Sequence, residues 1–207
     1  MKANRFFTTA IFSIIGVLAA AQPWMMRPQG PANEFSAMEG TSVLNYNLQM
    51  ERDIHSRAGY GPAFYIFPDS KLDNNQALEL AEKLDLVNII KEYGGRIMVV
   101  NPSSDKWQDQ DLENFRRLIG MGGAPTNVKV IGIGSGATFV NRQLAATDLT
   151  GVIAGIVSID GDPGKICKLP VPAFIGGKNA AKAAKPYQAT SDAAPADPLQ
   201  KVVVNTD

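Results

Sequence analysis

Apolar residues fall along this chain in two rhythms. Short runs in which nearly every position is apolar alternate with longer stretches in which apolar residues recur every three or four positions. The first rhythm suits strands buried on both faces and the second suits amphipathic helices. Ala63 to Pro68 (AFYIFP) is a run of the first kind, set between Gly/Pro turns, and a shorter strand is expected near Val43 to Leu48. Asp73 or Asn74 then offers an N-cap, and Leu78, Ala81, Leu84, Val87 and Ile90 predict one helix that runs until Gly94-Gly95. Arg96 to Val100 is the next strand and Pro102 stops it; Leu112, Phe115, Leu118 and Ile119 mark the apolar face of a second helix.

The same alternation continues to the end. Strands are predicted at Val128 to Ile131, Val152 to Ile159, Val171 to Ile175 and in the final KVVV, with helices after the first of these and over Asn179 to Tyr187. Asp192 to Pro198 is expected to be a polar loop. Continuous apolar strands alternating with amphipathic helices imply an α/β fold, a doubly wound and mainly parallel sheet. A final strand with no covering helix after it suggests that this sheet is incomplete at the C-terminus, so residues 46–207 are expected to form part of a domain.

One junction differs from the others. The strand Val128 to Ile131 runs into Gly132, Gly134 and Gly136 and then into a helical pattern of Phe139, Val140, Gln143 and Leu144. Glycines suit a turn that needs unusual φ angles and a helix that passes close to its own strand. Two chemistries use such a turn. The dinucleotide fingerprint G-x-G-x-x-G/A is met by Gly132, Gly134 and Ala137, with Asp160 as the ribose acid, although Asp160 comes later than the usual spacing of about 20 residues. The alternative is a nucleophile elbow, in which a serine is lifted above the sheet beside backbone N–H groups.

Charge narrows the partners. Twenty basic and twenty acidic residues balance, and no Lys/Arg cluster alternates with aromatics, so nucleic acid is not expected. Lys2 and Arg5 precede an apolar stretch to Leu18, and Ala19 and Ala21 occupy A-x-A positions. This is the pattern of a secretory signal cut after Ala21, shorter than the roughly 20 apolar residues of a membrane span. The mature protein is then secreted or periplasmic, off the membrane, and begins with a Pro/Gly/Met-rich flexible leader over residues 22–45 that carries Trp24, Met25 and Met26. The single cysteine, Cys167, makes no internal disulfide and reads as a small apolar residue. The single histidine, His55, reads as a loop residue. Asp148, Asp160 and Asp162 read as capping or solvated carboxylates; no metal or cofactor is expected.

The order of Ala63 to Pro68, the helix ending at Gly94-Gly95, the strand ending in Pro102, the glycine turn and the strand Val152 to Ile159 resembles the α/β-hydrolase superfamily, most of all the secreted polyhydroxybutyrate depolymerase and feruloyl esterase branch. The resemblance covers about residues 58 to 180. It implies a serine carboxylic-ester hydrolase, with backbone N–H groups near Asp69, Ser70 and Gly136 as the oxyanion hole, and a small-molecule or polymeric ester or carbohydrate as ligand. With Gly132 and Gly136 as the outer glycines of G-x-S-x-G, the nucleophile position falls on Gly134. A frame shifted by one makes Ser135 the nucleophile and puts Ile133 where a small residue is wanted. The family's acid follows Val171 to Ile175, where Asn179 stands with Asp192 beyond it, and no histidine follows the turn in this sequence. Trp107 is placed at the mouth of a pocket above the strands. Two readings stay open, an esterase and a non-catalytic binding module on the same fold, with a nucleotide-binding domain as a third.

Overall fold

The computed structural model describes residues 27–28, 36–38, 41–46, 48–49, 62–93, 95–121, 127–193 and 201–206. His55, the signal segment and Trp24 to Met26 lie outside the described residues. Ten strands are described: β1 (Arg27–Pro28), β2 (Ser36–Met38), β3 (Thr41–Tyr46), β4 (Leu48–Gln49), β5 (Ala63–Phe67), β6 (Gly95–Val100), β7 (Val128–Ile133), β8 (Ile153–Ile159), β9 (Ala173–Gly176) and β10 (Val202–Asn205). Six helices join them: α1 (Asn74–Lys83), α2 (Leu86–Tyr93), α3 (Asp109–Met121), α4 (Ser135–Phe139), α5 (Ala180–Ala183) and α6 (Lys185–Ala193). A π turn, Val140–Leu144, continues α4.

Eight of the strands form one sheet in the order β10-β9-β8-β7-β5-β6-β3-β2. The six strands from β10 to β6 run parallel, and β3 pairs antiparallel with β6 from Thr41↔Val100 to Tyr46↔Gly95. The sheet therefore begins earlier than composition implies: β2 and part of β3 lie within the stretch read as a leader.

Alternate residues of β5, β6, β7, β8 and β9 enter different cores, which is why these strands read as unbroken apolar runs. Tyr65, Phe67, Val130, Ile156 and Ile175 meet Phe115 of α3, Phe139 of α4 and Tyr187 of α6 on one face. Phe64, Ile66, Val99, Ile131 and Val157 meet Ala77, Ala81, Leu86 and Ile90 of α1 and α2 on the other. Burying a side chain of this size contributes about 1.5–3 kcal/mol, so the central strands β5 and β7 anchor both layers.

Two predicted helices are divided. The stretch after Asp73 opens with a capping box, Asp73 accepting from Gln76 N–H at 2.9 Å and Gln76 from Asp73 N–H at 3.0 Å. It breaks at Asp85, which takes a left-handed φ of 59° and accepts a hydrogen bond from the Asn88 side-chain amide at 2.7 Å. The apolar spacing runs through this break, because Leu84 before it and Val87 after it, three residues apart, are both buried. The stretch after Asn179 divides at Ala184, and α6 runs on to Ala193, so Asp192 is helical rather than in a loop.

Candidate functional site at the elbow

From β5 the chain moves to β6 on one side, and β7 then takes up the other side of β5. A crevice above the carboxyl ends of strands at such a switch point is where open α/β sheets place ligands. The turn after β7 and the loop after β5 meet there.

Gly134 forms the apex of the turn. Its φ of 57° and ψ of −120° are sparsely populated by residues with a Cβ, and its N–H donates to the Ile159 carbonyl of β8 at 2.8 Å. The flanking glycines are needed for close packing. A Cβ on Gly132 would lie 2.6 Å from Ala137 Cα, and one on Gly136 would lie 2.1 Å from the Phe67 carbonyl oxygen. Gly132 and Gly136 are thus the outer glycines of the elbow. Ser135 does not stand at the apex but opens α4, one residue on.

Asp69, in the loop after β5, fills the space over Gly134. Its Oδ1 accepts the Ser135 N–H at 2.7 Å, and its backbone carbonyl accepts the Ser135 hydroxyl. A Cβ built on Gly134 would lie 2.2 Å from that Oδ1 and 2.6 Å from Cγ. In a nucleophile elbow the N–H of the residue after the apex faces the oxyanion; here the N–H in that place, that of Ser135, is taken by the Asp69 carboxylate. Ser70 is exposed on the same loop.

Trp107 does reach this region, but as packing. It stacks on Phe139 with centroids 4.8 Å apart, lies 5.4 Å from Phe67, and donates from Nε1 to the Pro68 carbonyl at 3.1 Å. Asp111, buried at the start of α3, holds the Trp107 loop by accepting from Ser103 N–H at 2.9 Å and Gln108 N–H at 2.8 Å. Asn101, just after β6, clasps the β5 loop, accepting from Leu72 N–H at 2.9 Å and donating to its carbonyl at 2.8 Å. Neither Asp111 nor Asn101 stood out in the sequence; the only hint at Asn101 was its place between a strand and Pro102.

The remaining carboxylates have local partners. Asp160, at the end of β8, has a φ of 55° and accepts from Lys178 N–H at 3.3 Å. Asp162 pairs with Arg142 at 2.9 Å, and Asp148 accepts from Thr150 N–H at 3.2 Å; hydrogen bonding from the Thr150 side chain and then from its backbone lowers the Asp148 pKa. Asn179 occupies an exposed turn after β9, where its carbonyl accepts from Lys182 and Ala183. Among the described residues no group of three or more His, Cys, Asp or Glu gathers. Cys167 is partly buried, which raises its pKa, and touches Leu169 and Thr190.

No family model and no curated protein matches the chain. Solved structures are similar in chain path. One is an α/β hydrolase enzyme from a Medee basin deep-sea metagenome library, 14% identical over 88% of this chain and 81% of that one, with a TM-score of 0.49. A bacterial heroin esterase is 11% identical over 96% and 80%, with a TM-score of 0.47. A Pyrococcus horikoshii acylaminoacyl peptidase is 11% identical over 93% of this chain but only 38% of its own, with a TM-score of 0.43.

The fold is of the α/β-hydrolase type. What identifies it is the strand order and the elbow between β7 and α4, with the loop after β5 beside it. The helix after the elbow continues into its π turn, where Ala145 N–H reaches back to the Val140 carbonyl. That turn carries Asn141, buried, whose amide donates to the Asp162 carbonyl at 2.9 Å and accepts from the Tyr187 hydroxyl at 2.9 Å. Burial pushes the Tyr187 pKa well above its usual value, so the hydroxyl stays a donor. At the opposite, amino end of β7, Lys129 is buried against Asn127, and desolvation brings its pKa down to about 8.

Proposed function

We propose that this chain is an exported α/β-hydrolase-like protein, related to the depolymerase and feruloyl esterase branch, that acts by binding rather than by ester hydrolysis. The observation that carries this reading is Gly134 at the apex of the elbow, with the Asp69 carboxylate in the space that an attacking side chain needs. Ester hydrolysis through an elbow requires a nucleophile there and an open oxyanion donor, and Ser135 is turned to the Asp69 backbone instead. The ligand is a small-molecule or polymeric ester or a carbohydrate, taken up beside the switch point.

The test is incubation with short p-nitrophenyl esters and with a fluorophosphonate probe. We expect neither turnover nor labelling. Covalent labelling of Ser135 that is lost in Ser135→Ala would reverse the reading in favour of an esterase. Export is tested separately, by N-terminal sequencing of secreted material, which should begin at Gln22; recovery of Met1 in that fraction would refute cleavage.

A further inference from the structure

We propose that Asp69 is a built-in occupant of the oxyanion position, a latch that holds the elbow closed and that depends on residue 134 having no side chain. Three observations converge on it. Both donors that Ser135 presents are spent on Asp69, the N–H on Oδ1 at 2.7 Å and the hydroxyl on its carbonyl. The volume above Gly134 is filled by the same carboxylate, so a Cβ at 134 and the Asp69 side chain exclude each other. The segment that carries Asp69 is held on both sides, by Trp107 Nε1 on the Pro68 carbonyl and by the Asn101 amide on both backbone groups of Leu72.

An exposed aspartate is ordinarily free to sample several rotamers, whereas this one is carried to the elbow by a fixed backbone and bound there through a charge-assisted hydrogen bond. Its charge adds to the closure. A carbonyl oxygen gaining negative charge would meet a filled donor and a carboxylate beside it, the reverse of what an oxyanion hole supplies. Opening the oxyanion position requires the Asp69 side chain to leave the Ser135 N–H, while the loop backbone stays held at Pro68 and Leu72. The latch stands apart from the ligand reading above: a protein that binds no ester or carbohydrate would still have it.

The experiment is amide hydrogen exchange on the full chain, comparing the wild type with Asp69→Gly. Without the carboxylate the Ser135 N–H should exchange at least about tenfold faster, while Thr138 N–H, bonded to the Gly134 carbonyl at 3.0 Å, should keep its rate. Unchanged exchange at Ser135 overturns the latch, as does an equal acceleration at both sites. A second measurement is the melting of Gly134→Ala in the two backgrounds. The latch requires a smaller drop in midpoint when Asp69 is already glycine, because only the backbone strain then remains; equal drops would overturn it.

Discussion

Two neighbouring turns at the carboxyl edge of the sheet solve a similar packing problem with opposite assignments. After β7 the chain turns through Gly134, at φ 57°, and a carboxylate from another loop, Asp69, enters the space. After β8 it turns through Asp160, at φ 55°, and a glycine from the next strand end, Gly177, leaves room for the carboxylate. In both pairs a Cβ on the glycine would come within 2.2 Å of the aspartate Oδ1. The difference lies in what the carboxylate holds. Asp160 accepts a long 3.3 Å bond from Lys178, whereas Asp69 binds Ser135 at 2.7 Å across 66 residues of sequence and ties a loop to the elbow. A local cap and a tertiary latch can look alike in sterics and differ in consequence.

The comparison is broken most severely at Gly134. Gly134→Ser combines strain at a positive φ with a clash that expels Asp69, and should cost about 3 kcal/mol in urea unfolding. It should also fail to produce esterase turnover, since no histidine stands beside the new serine among the described residues to take its proton; p-nitrophenyl acetate hydrolysis above that of the wild type would show that another group serves as the base. Gly177→Ala should cost less, about 2 kcal/mol, because the displaced Asp160 gives up only its bond to Lys178. Part of that loss should return in Gly177→Ala with Asp160→Gly, and equal penalties at Gly134 and Gly177 would erase the distinction between the two turns.

Smaller changes sharpen it. Ser135→Ala removes one of the two bonds to Asp69 and leaves the backbone donor in place, so about 1 kcal/mol of stability should be lost, read from the same unfolding curves. Asp160→Asn should stay within about 0.5 kcal/mol of the wild type, since asparagine tolerates a left-handed backbone and can still accept from Lys178. NAD or NADP should produce no calorimetric signal, because Asp69 fills the space above the glycine turn where a pyrophosphate would sit and Asp160 is turned to Lys178. Micromolar binding would restore the nucleotide reading.

The alternation of strands and helices was legible because burial on both faces leaves a local trace: β5, β6, β7 and β8 lie where unbroken apolar runs predict strands, and β9 begins two residues later than expected; β10 also lies in its predicted run, although Val203 faces solvent. The division at Asp85 was hidden because Leu84 and Val87, on either side of it, keep the helical spacing that the backbone abandons. At the site, the sequence picked out Asp69, Ser70, Gly134, Ser135, Gly136 and Trp107; the fold brings Asp69 onto Gly134 and Ser135 and packs Trp107 on Phe67 and Phe139 beside that loop.

By itself, then, the sequence determined the α/β class and the place of the glycine turn, both of which are written in nearest-neighbour patterns of apolar residues and glycine. Which glycine forms the apex, and what faces it, was decided only by the tertiary structure. The two frames around Gly134 and Ser135 differ by a single residue, and local spacing cannot separate them; the choice rests on Phe67 passing so close to position 136 that only glycine fits, and on Ala137 crowding position 132. Asp69 reaches the Ser135 N–H because β5 and β7 lie side by side, pairing Phe67 with Gly132. No periodicity along the chain records that adjacency, since it arises from the order in which strands pack and not from the residues next to either group.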